Sequence, residues 1–347
     1  MERRVLGKQA QETVAVILAA GKGTRMKSGL PKVLHGLMGK PIVSYVTEAC
    51  RGAGVTRMIL VIGHAADRVR EALGPDFEYA EQTEQLGTGH ALMTAAPGLK
   101  NFRGNLLVLA GDTPFLSGEI LRALIDKQRN SGAAAAMLTA VMDPPGAYGR
   151  IVRENGRIAR IVEARDATPD ELRITEVNTS HYCFRAEKVL PLLDRLRTNN
   201  DQGEYYLTDV IRMLAQEGET VESVTSEDPD ILMGINNRVH LAEATAILRR
   251  RITEKWSREG VTFIDPDSAY VEPDVSIGGD TVVWPGVFLS GRTAIGSECR
   301  IGPHVRILDS RIGDRCAVEF AVIERRDIPP DGTIGPFAYL TSENTVK

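Results

Sequence analysis

A glycine-rich run near the start of the chain has the residue types that bind phosphate. It reads Leu-Ala-Ala-Gly-Lys-Gly-Thr-Arg over residues 18–25 and overlaps the end of an apolar stretch at 14–20. Glycines let backbone N–H groups approach phosphate oxygens, while Arg25 and Lys32 supply positive charge for a triphosphate. The run lacks the Gly-Lys-Ser/Thr ending of a Walker A loop, and Met26 stands where a dinucleotide fingerprint has its third glycine. A nucleotide phosphate site of another type is therefore predicted.

A carboxylate, Asp112, follows the apolar run at 106–110. Asp112 could cap the turn that begins there, because Asp is favoured at loop starts. Alternatively it is a metal ligand, since a hard oxygen donor at a strand end can hold Mg²⁺ against a bound triphosphate. We favour the metal ligand.

A third segment, residues 82–90, begins with Gln82 and places Gly87 and Gly89 on either side of Thr88. Such a turn offers amide and hydroxyl groups to the edge of a base. It could also be only the entry to a helix, and the segment alone does not decide between the two.

The surrounding pattern predicts the elements that carry these segments. Apolar runs of strand length alternate with segments of helical period up to about residue 225, which is typical of an α/β sheet with crossover helices. Loops at the carboxyl edge of such a sheet face the ligand. Further signals predict a helix over 41–53, a hairpin turning at Asn155-Gly156 and an amphipathic helix over 238–257. The predicted strands are residues 14–19, 57–62, 77–82, 106–110 and 134–141.

After residue 260 the chain has a six-residue period of aliphatic side chains, often followed by glycine. This period fits neither an α-helix nor an ordinary strand pair and indicates hexapeptide β-helix repeats, with each aliphatic residue inside a coil. The series consists of Val271, Ile277, Val283, Leu289, Ile295, Ile301, Ile307, Ile312, Val318, Ile328, Ile334 and Leu340.

Length, composition and net charge limit the classes of function that the chain could have. A chain of 347 residues with 43% hydrophobic residues can bury a large core in about two domains, and a net charge of −4 gives no reason to expect nucleic acid or an anionic membrane as partner. The four cysteines lack CxxC spacing, which supports neither a zinc site nor a disulfide framework. No apolar run approaches the roughly 20 residues that span a bilayer. We expect a cytoplasmic protein.

Taken together, the three segments resemble one family, the bacterial bifunctional enzymes that make UDP-N-acetylglucosamine. Further matches lie at residues 26–34, 148–150 and 200–209, so that the resemblance runs from about residue 14 to 336. It implies a Rossmann-like nucleotidyltransferase (pyrophosphorylase) domain with a mixed, mostly parallel sheet over 1–237. A linker helix over 238–259 and a short left-handed parallel β-helix over 260–347 would follow.

The resemblance also implies a reaction and its residues. UTP and N-acetylglucosamine 1-phosphate would react by in-line attack on the α-phosphorus, with pyrophosphate leaving. Arg25, Lys32 and Asp112 would be catalytic, and Asp112 and Asn236 would hold Mg²⁺. Substrate-binding residues would be Leu18, Ala19, Ala20, Gly21, Lys32, Gln82, Gly87, Thr88, Ala110, Gly111, Asp112, Gly149, Glu163, Asn178 and Asn236, of which Gly149, Glu163 and Asn178 would line the sugar pocket.

Two departures from the family pattern affect the expectations. Ser180 stands where the family has glycine in an Asn-Thr-Gly motif, close to the expected sugar. After residue 337 the family continues with further coils that hold the acetyl-CoA site and its histidine, so we expect no acetyltransferase activity. His304 matches no motif and is expected to be a surface residue. The β-helix would then serve structure or assembly, as a homotrimer if it follows the family.

Two other functions remain open at the level of sequence. A nucleotidyltransferase for glucose 1-phosphate, with UTP or dTTP, would use the same phosphate machinery. A non-catalytic assembly scaffold is the less favoured alternative, because such a protein has no chemical need for Arg25, Lys32, Asp112 and Asn236.

Overall fold

The computed structural model describes residues 12–342, which form two compact units. The first unit comprises the residues up to His35 together with Pro41–Asn237, and the second comprises Gly36–Lys40 and the chain from Arg238 onward. The outermost residues of the domains predicted from sequence, 1–11 and 343–347, lie outside the described range. Within that range no helix is both long and apolar enough to cross a membrane.

The first unit is built on a nine-stranded mixed sheet. Seven strands lie side by side in the order β9-β5-β8-β4-β1-β2-β3, and their pairings are parallel except that β8 runs antiparallel to β4 and β5. Strands β6 and β7 form a hairpin attached to β8. The strands are β1 Thr13–Leu18, β2 Arg57–Ile62, β3 Glu78–Glu81, β4 Asn105–Ala110, β5 Ala135–Val141, β6 Arg150–Glu154, β7 Arg157–Val162, β8 Glu176–Arg185 and β9 Val221–Ser226.

Core residues cover both faces of this sheet. Val14 and Val16 of β1 belong to one hydrophobic cluster, and Ala15 and Ile17 belong to another. Successive side chains of a strand point to opposite faces, so a strand buried on both faces is apolar throughout. This explains why the run at 14–20 is continuously apolar. The helices of the unit are α1 Ile42–Gly52, α2 Ala66–Leu73, α3 Thr88–Ala95, α4 Gly118–Ser131, α5 Ala186–Val189 and α6 Thr208–Gln216.

The mostly parallel α/β sheet confirms the fold class predicted from the sequence. Each predicted strand is present within one residue at either end, and the predicted helix over 41–53 is α1. The hairpin is confirmed as well, since Asn155 and Gly156 both have positive φ, 49° and 78°, as a type I′ turn requires. Strands β8 and β9 were not among the predicted strands.

The second unit contains helix α7, Arg238–Arg258, and three parallel sheets of five, five and four short strands. Most of these strands bury one aliphatic residue, such as Val283, Ile301 and Ile307, and this confirms the β-helix prediction. Two further short strands are Gly36–Leu37 and Lys40–Pro41. The β-helix strands are Thr262–Phe263, Tyr270–Val271, Ser276–Ile277, Val282–Val283, Phe288–Ser290, Ala294–Ile295, Arg300–Ile301, Arg306–Leu308, Arg311–Ile312, Ala317–Val318, Val322–Glu324, Asp327–Ile328, Thr333–Ile334 and Tyr339–Leu340.

Coil length varies along the β-helix. In one of the three sheets Val282 pairs with Arg300, Arg300 with Ala317, and Ala317 with Thr333, so these successive spacings fall from 18 to 17 to 16 residues. The aliphatic series shifts accordingly, and it includes the fully buried Ile323, which the six-residue period had missed.

All four cysteines are buried free thiols. Burial raises the pKa of Cys50 and of Cys183 to about 12. Both thiols therefore stay protonated at neutral pH, and a protonated thiol is a poor nucleophile and a poor metal ligand.

Candidate functional site

A cavity of about 440 Å³ lies at the carboxyl ends of β1 and β4 in the first unit. This is the edge at which an open α/β sheet presents its loops to a ligand. Eleven of the residues predicted to bind substrate line it, drawn from segments far apart in the sequence. They are Leu18, Ala19, Ala20, Gly21, Lys32, Gln82, Gly87, Thr88, Ala110, Asp112 and Glu163.

The glycine-rich run turns sharply after β1, and Gly23 makes this turn possible. Gly23 has φ of 61°, and a Cβ there would lie 2.7 Å from Cβ of Lys32. A larger residue would therefore need both a left-handed backbone and displacement of Lys32. The glycine allows the start of the Lys32 side chain to pack directly against the run.

Four predicted side chains meet in what we call the charged cluster: Arg25, Lys32, Asp112 and Asn236. The Lys32 ammonium forms an ion pair with Oδ2 of Asp112 and donates a hydrogen bond of 3.2 Å to Oδ1 of Asn236. The Arg25 guanidinium donates to the same Asn236 oxygen at 3.0 Å. Only 14% of the Lys32 side chain and 20% of the Asp112 side chain are exposed, so solvent screens their interaction weakly.

Backbone hydrogen bonds fix the position of Asp112. The N–H of Gly111 donates to the carbonyl of Leu18 at 2.9 Å, which holds the end of β4 against β1. The N–H of Ile235 donates to the carbonyl of Asp112 at 2.9 Å, which brings the neighbouring Asn236 into the cluster. The two predicted metal ligands are thus held together although they are far apart in the chain.

The donor set of this cluster fits Mg²⁺. Asp112 and Asn236 direct a carboxylate oxygen and a carboxamide oxygen at one cationic group, the Lys32 ammonium. Within residues 12–342 no group of three or more His, Cys, Asp or Glu side chains could hold a metal ion. Two protein oxygens suit Mg²⁺ nevertheless, because this ion commonly keeps several waters and binds substrate phosphates for its remaining ligands.

The predicted base-binding turn is fixed to the segment before α6. The Oγ1 of Thr88 accepts a hydrogen bond from the N–H of Leu207 at 3.1 Å, and the N–H of Gly89 donates to the carbonyl of Tyr205 at 2.8 Å. The buried carboxamide of Gln82 donates to the carbonyl of Gly87 at 3.3 Å. The turn is therefore a rigid wall of the cavity, as well as the entry to helix α3.

On another side the cavity is lined by Glu163, Tyr206 and Thr208, which we call the sugar wall after the sugar that the sequence predicts near Glu163. The same three residues also line a second cavity of about 490 Å³. The Thr208 hydroxyl donates to Oε1 of Glu163 at 3.3 Å. Desolvation raises the pKa of Glu163, whereas the Thr208 hydrogen bond opposes this shift.

The remaining predicted residues adjoin the cavity without lining it. The N–H of Asn178 donates to the carbonyl of Gly149 at 2.9 Å, and the Asn178 carboxamide donates to the hydroxyl of Tyr182 at 2.8 Å. Tyr182 does line the cavity. Arg25, Gly111 and Asn236 are placed by the contacts of the charged cluster described above.

Several cavity-lining residues were absent from the predicted set. Gln202, Glu204, Tyr206 and Thr208 lie within residues 200–209, a segment that had served only as evidence of family resemblance. That resemblance was the signal that could have identified them. Gln85, Tyr182 and Ser180 also line the cavity without having been predicted as binding residues.

Ser180 and His181 occupy a bulge in the middle of β8, where the pairing with β5 shifts register between Asn178 and Tyr182. Ser180 has a left-handed backbone with φ of 63°. His181 is fully buried, and desolvation lowers its pKa to about 4, so the imidazole is neutral at pH 7. Its Nδ1 accepts a hydrogen bond from the N–H of Ala110 at 3.4 Å, directly before Gly111 and Asp112.

Comparison with known proteins identifies the family. Residues 15–218 match the profile of the MobA-like NTP transferase domain. The bifunctional protein GlmU of Exiguobacterium sibiricum is 48% identical over 330 residues, which cover 95% of this chain and 74% of that protein. The chain belongs to the GlmU family. The bifunctional protein GlmU of Halalkalibacterium halodurans is 46% identical over 327 residues, covering 94% of this chain and 72% of the relative.

A solved structure shares the fold of much of the chain. A Bacillus anthracis protein assigned as a glucose-1-phosphate thymidylyltransferase superposes with a TM-score of 0.57 and 21% identity, covering 68% of this chain and 94% of its own. At this identity the likeness concerns the fold alone. Family membership and the NTP transferase domain together make this member a sugar-phosphate nucleotidyltransferase.

Proposed function

We propose that the protein is a UTP:N-acetylglucosamine-1-phosphate uridylyltransferase that forms UDP-N-acetylglucosamine and pyrophosphate. The observation that carries the proposal is one cavity with two unlike sides. The Lys32–Asp112 pair of the charged cluster suits a triphosphate and its metal ion, and the hydroxyls and carboxylate of the sugar wall suit a neutral sugar ring. A strong family resemblance supplies the identities of nucleotide and sugar.

The reaction needs positioning and charge neutralisation. An oxygen of the sugar phosphate attacks the α-phosphorus of UTP, the bond from that phosphorus to its bridge oxygen breaks, and the electron pair leaves with pyrophosphate. Lys32 and Arg25 are placed to neutralise the negative charge of the phosphates, which is the main task of a protein in such a transfer. Bound Mg²⁺ would add positive charge at the same oxygens.

The other walls orient the two substrates. The rigid turn at Gly87 and Thr88, with Gln82 behind it, offers backbone groups and a hydroxyl to the uracil ring. The Glu163 carboxyl group accepts hydrogen bonds from sugar hydroxyls, and Lys32 attracts the phosphate, so the sugar phosphate binds with its phosphate toward Lys32. Holding both reactants in line supplies a large part of the rate enhancement in transfers of this kind.

A pyrophosphate-release assay tests the proposal. Purified protein with Mg²⁺ is given UTP or dTTP together with N-acetylglucosamine 1-phosphate or glucose 1-phosphate, and kcat/KM is measured for each pair. We expect UTP with N-acetylglucosamine 1-phosphate to exceed every other pair by at least about tenfold, as a polar substrate contact can provide. A higher value for glucose 1-phosphate would reassign the substrate, and absence of pyrophosphate release from all pairs would contradict the proposal.

Three further expectations stay predictions. Release of free coenzyme A from acetyl-CoA and glucosamine 1-phosphate would contradict the expected lack of acetyltransferase activity. Light scattering of the purified protein tests the homotrimer. Cell fractionation tests the cytoplasmic location.

A further inference from the structure

The charged cluster has a feature that the proposed reaction does not explain. Both predicted metal ligands are already bound to positively charged side chains, Asp112 to Lys32 and Asn236 to Lys32 and Arg25. One ammonium therefore bridges the two oxygens that Mg²⁺ would use. A lysine ammonium is a compact point charge, and it occupies the place of a cation here.

Mg²⁺ and this ammonium compete for Oδ2 of Asp112 and Oδ1 of Asn236. Both are cations, and like charges a few ångströms apart in a weakly screened site repel strongly. The Lys32 and Asp112 side chains are mostly sheltered from solvent, so the repulsion would be felt almost fully. Metal binding at these two oxygens therefore favours withdrawal of the Lys32 ammonium.

We propose that the Lys32 ammonium is an internal placeholder for the metal ion. It holds the metal position while the site is empty, and a metal ion replaces it when a triphosphate binds. The proposal rests on the assignment of Asp112 and Asn236 as metal ligands under the proposed function. Without ligands, the ammonium compensates the Asp112 carboxylate and holds both oxygens in place. When a triphosphate enters, its oxygens offer Lys32 and Arg25 new partners, and the two metal ligands become available.

The local structure allows such an exchange. Lys32 begins the short 3₁₀ turn Lys32–Leu34, and its Cβ packs against Gly23, so the backbone end of the side chain is fixed. The lysine stem is flexible, and the ammonium can move while the backbone stays in place. The exchange would couple metal and nucleotide binding, since each ligand would raise the affinity for the other by the same factor.

Metal binding without nucleotide tests this proposal. Free Mn²⁺ is titrated into the full chain and followed by its electron paramagnetic resonance signal. Lys32→Met removes the placeholder charge, and we expect Mn²⁺ to bind about tenfold more tightly, within the usual range for coupled sites. Lys32→Gln is a second variant with the same expectation, should Lys32→Met fold poorly. Lys22→Met is the matched control, because Lys22 is an exposed lysine of the same run outside the cluster.

The outcomes separate this proposal from the proposed function. Tighter Mn²⁺ binding in both Lys32 variants, with Lys22→Met within about twofold of wild type, supports the exchange. Unchanged or weaker binding in folded Lys32 variants, while Asp112→Asn abolishes binding, overturns the placeholder role and leaves the metal site standing. Wild-type affinity in Asp112→Asn would overturn both the placeholder role and the metal assignment, whereas the pyrophosphate assay would still test the reaction.

Discussion

The charged cluster and the sugar wall lie in the same unit and differ in how their charges are balanced. In the cluster, the Asp112 carboxylate is ion-paired with Lys32. In the sugar wall, the carboxylate of Glu163 has a hydroxyl partner, Thr208. Among the described residues that line the cavity of about 440 Å³, Lys32 is the only lysine or arginine. Positive charge is thus confined to one side.

Under the proposed function, the two regions should have different kinetic roles. Groups that stabilise charge developing in the transition state affect kcat, whereas groups that bind substrate and transition state equally affect KM alone. Charge develops on the phosphates, and the sugar ring stays neutral throughout. We therefore expect substitutions in the charged cluster to lower kcat and substitutions in the sugar wall to raise KM for the sugar phosphate.

Asp112→Ala should have the largest effect. Loss of a side chain that stabilises transition-state charge typically lowers kcat by about 10²- to 10³-fold, and we expect that range here. The KM for the sugar phosphate should change little. Pyrophosphate release gives both constants, and circular dichroism checks the fold. Asp76→Ala, at an exposed aspartate, is the control. Wild-type kcat in Asp112→Ala would remove Asp112 from the reaction.

Thr208→Val should have the next largest effect. The variant keeps the branched shape and deletes the hydroxyl that donates to Glu163. We expect KM for the sugar phosphate to rise about three- to tenfold, the loss that one hydrogen bond of about 1 kcal/mol predicts, with kcat within twofold. Thr94→Val removes a hydroxyl bonded to the carbonyl of His90 in α3 and is the control. A fall in kcat with unchanged KM would contradict the assignment of the sugar wall to substrate binding alone.

Ser180→Gly should change stability and affinity in opposite directions. Glycine adopts the left-handed backbone at φ of 63° without the steric strain of a Cβ atom. This should raise the free energy of unfolding by about 1 kcal/mol. Loss of a hydroxyl that lines the cavity should raise KM for the sugar phosphate about two- to threefold.

Ser180→Ala is the matched control, because it removes the hydroxyl and keeps the strain. It should raise KM equally without the gain in stability. Urea unfolding and steady-state kinetics measure the two quantities. Unchanged KM in both variants would exclude Ser180 from the sugar site.

Glu163→Gln should have the smallest effect, on the pH dependence of stability. Desolvation raises the pKa of Glu163 in the folded protein above its ordinary 4.5. The contribution of this group to stability is therefore fully present below pH 4.5 and is lost as pH rises through the raised pKa. The variant should melt at a higher temperature than wild type at pH 8, and the difference should shrink on acidification.

Thermal unfolding at several pH values measures the Glu163 effect. Glu84→Gln, at an exposed glutamate, is the control. A melting difference that stays constant between pH 8 and pH 4 would show that Glu163 carries no buried charge.

Local sequence patterns predicted most of the fold, and their failures have physical causes. Strand β1 was visible because both of its faces are buried and every residue after Thr13 is apolar. Strand β8 was missed because its middle carries four polar residues, Asn178, Thr179, Ser180 and His181, of which three are buried and Ser180 lines the cavity. A functional strand does not follow the hydrophobic pattern of a structural one.

The candidate site was harder to predict, because its contacts join distant segments. Lys32 lies 80 residues from Asp112 and 204 from Asn236, and no local pattern encodes that approach. Family resemblance supplied those residues. It did not reveal that the Lys32 ammonium bridges both predicted metal ligands, or that the buried His181 near Asp112 is neutral, since these depend on burial and geometry.

The unequal coil lengths of the second unit indicate where such a chain can gain or lose residues. The pairing of Val282, Arg300, Ala317 and Thr333 survives the loss of one residue per coil, so the missing residues come from corners rather than strands. A deletion at a corner leaves every later aliphatic residue facing inward, whereas a deletion inside a strand would turn its side chains to the opposite face. Insertions and deletions should therefore accumulate at corners during divergence, while the length of each strand is kept.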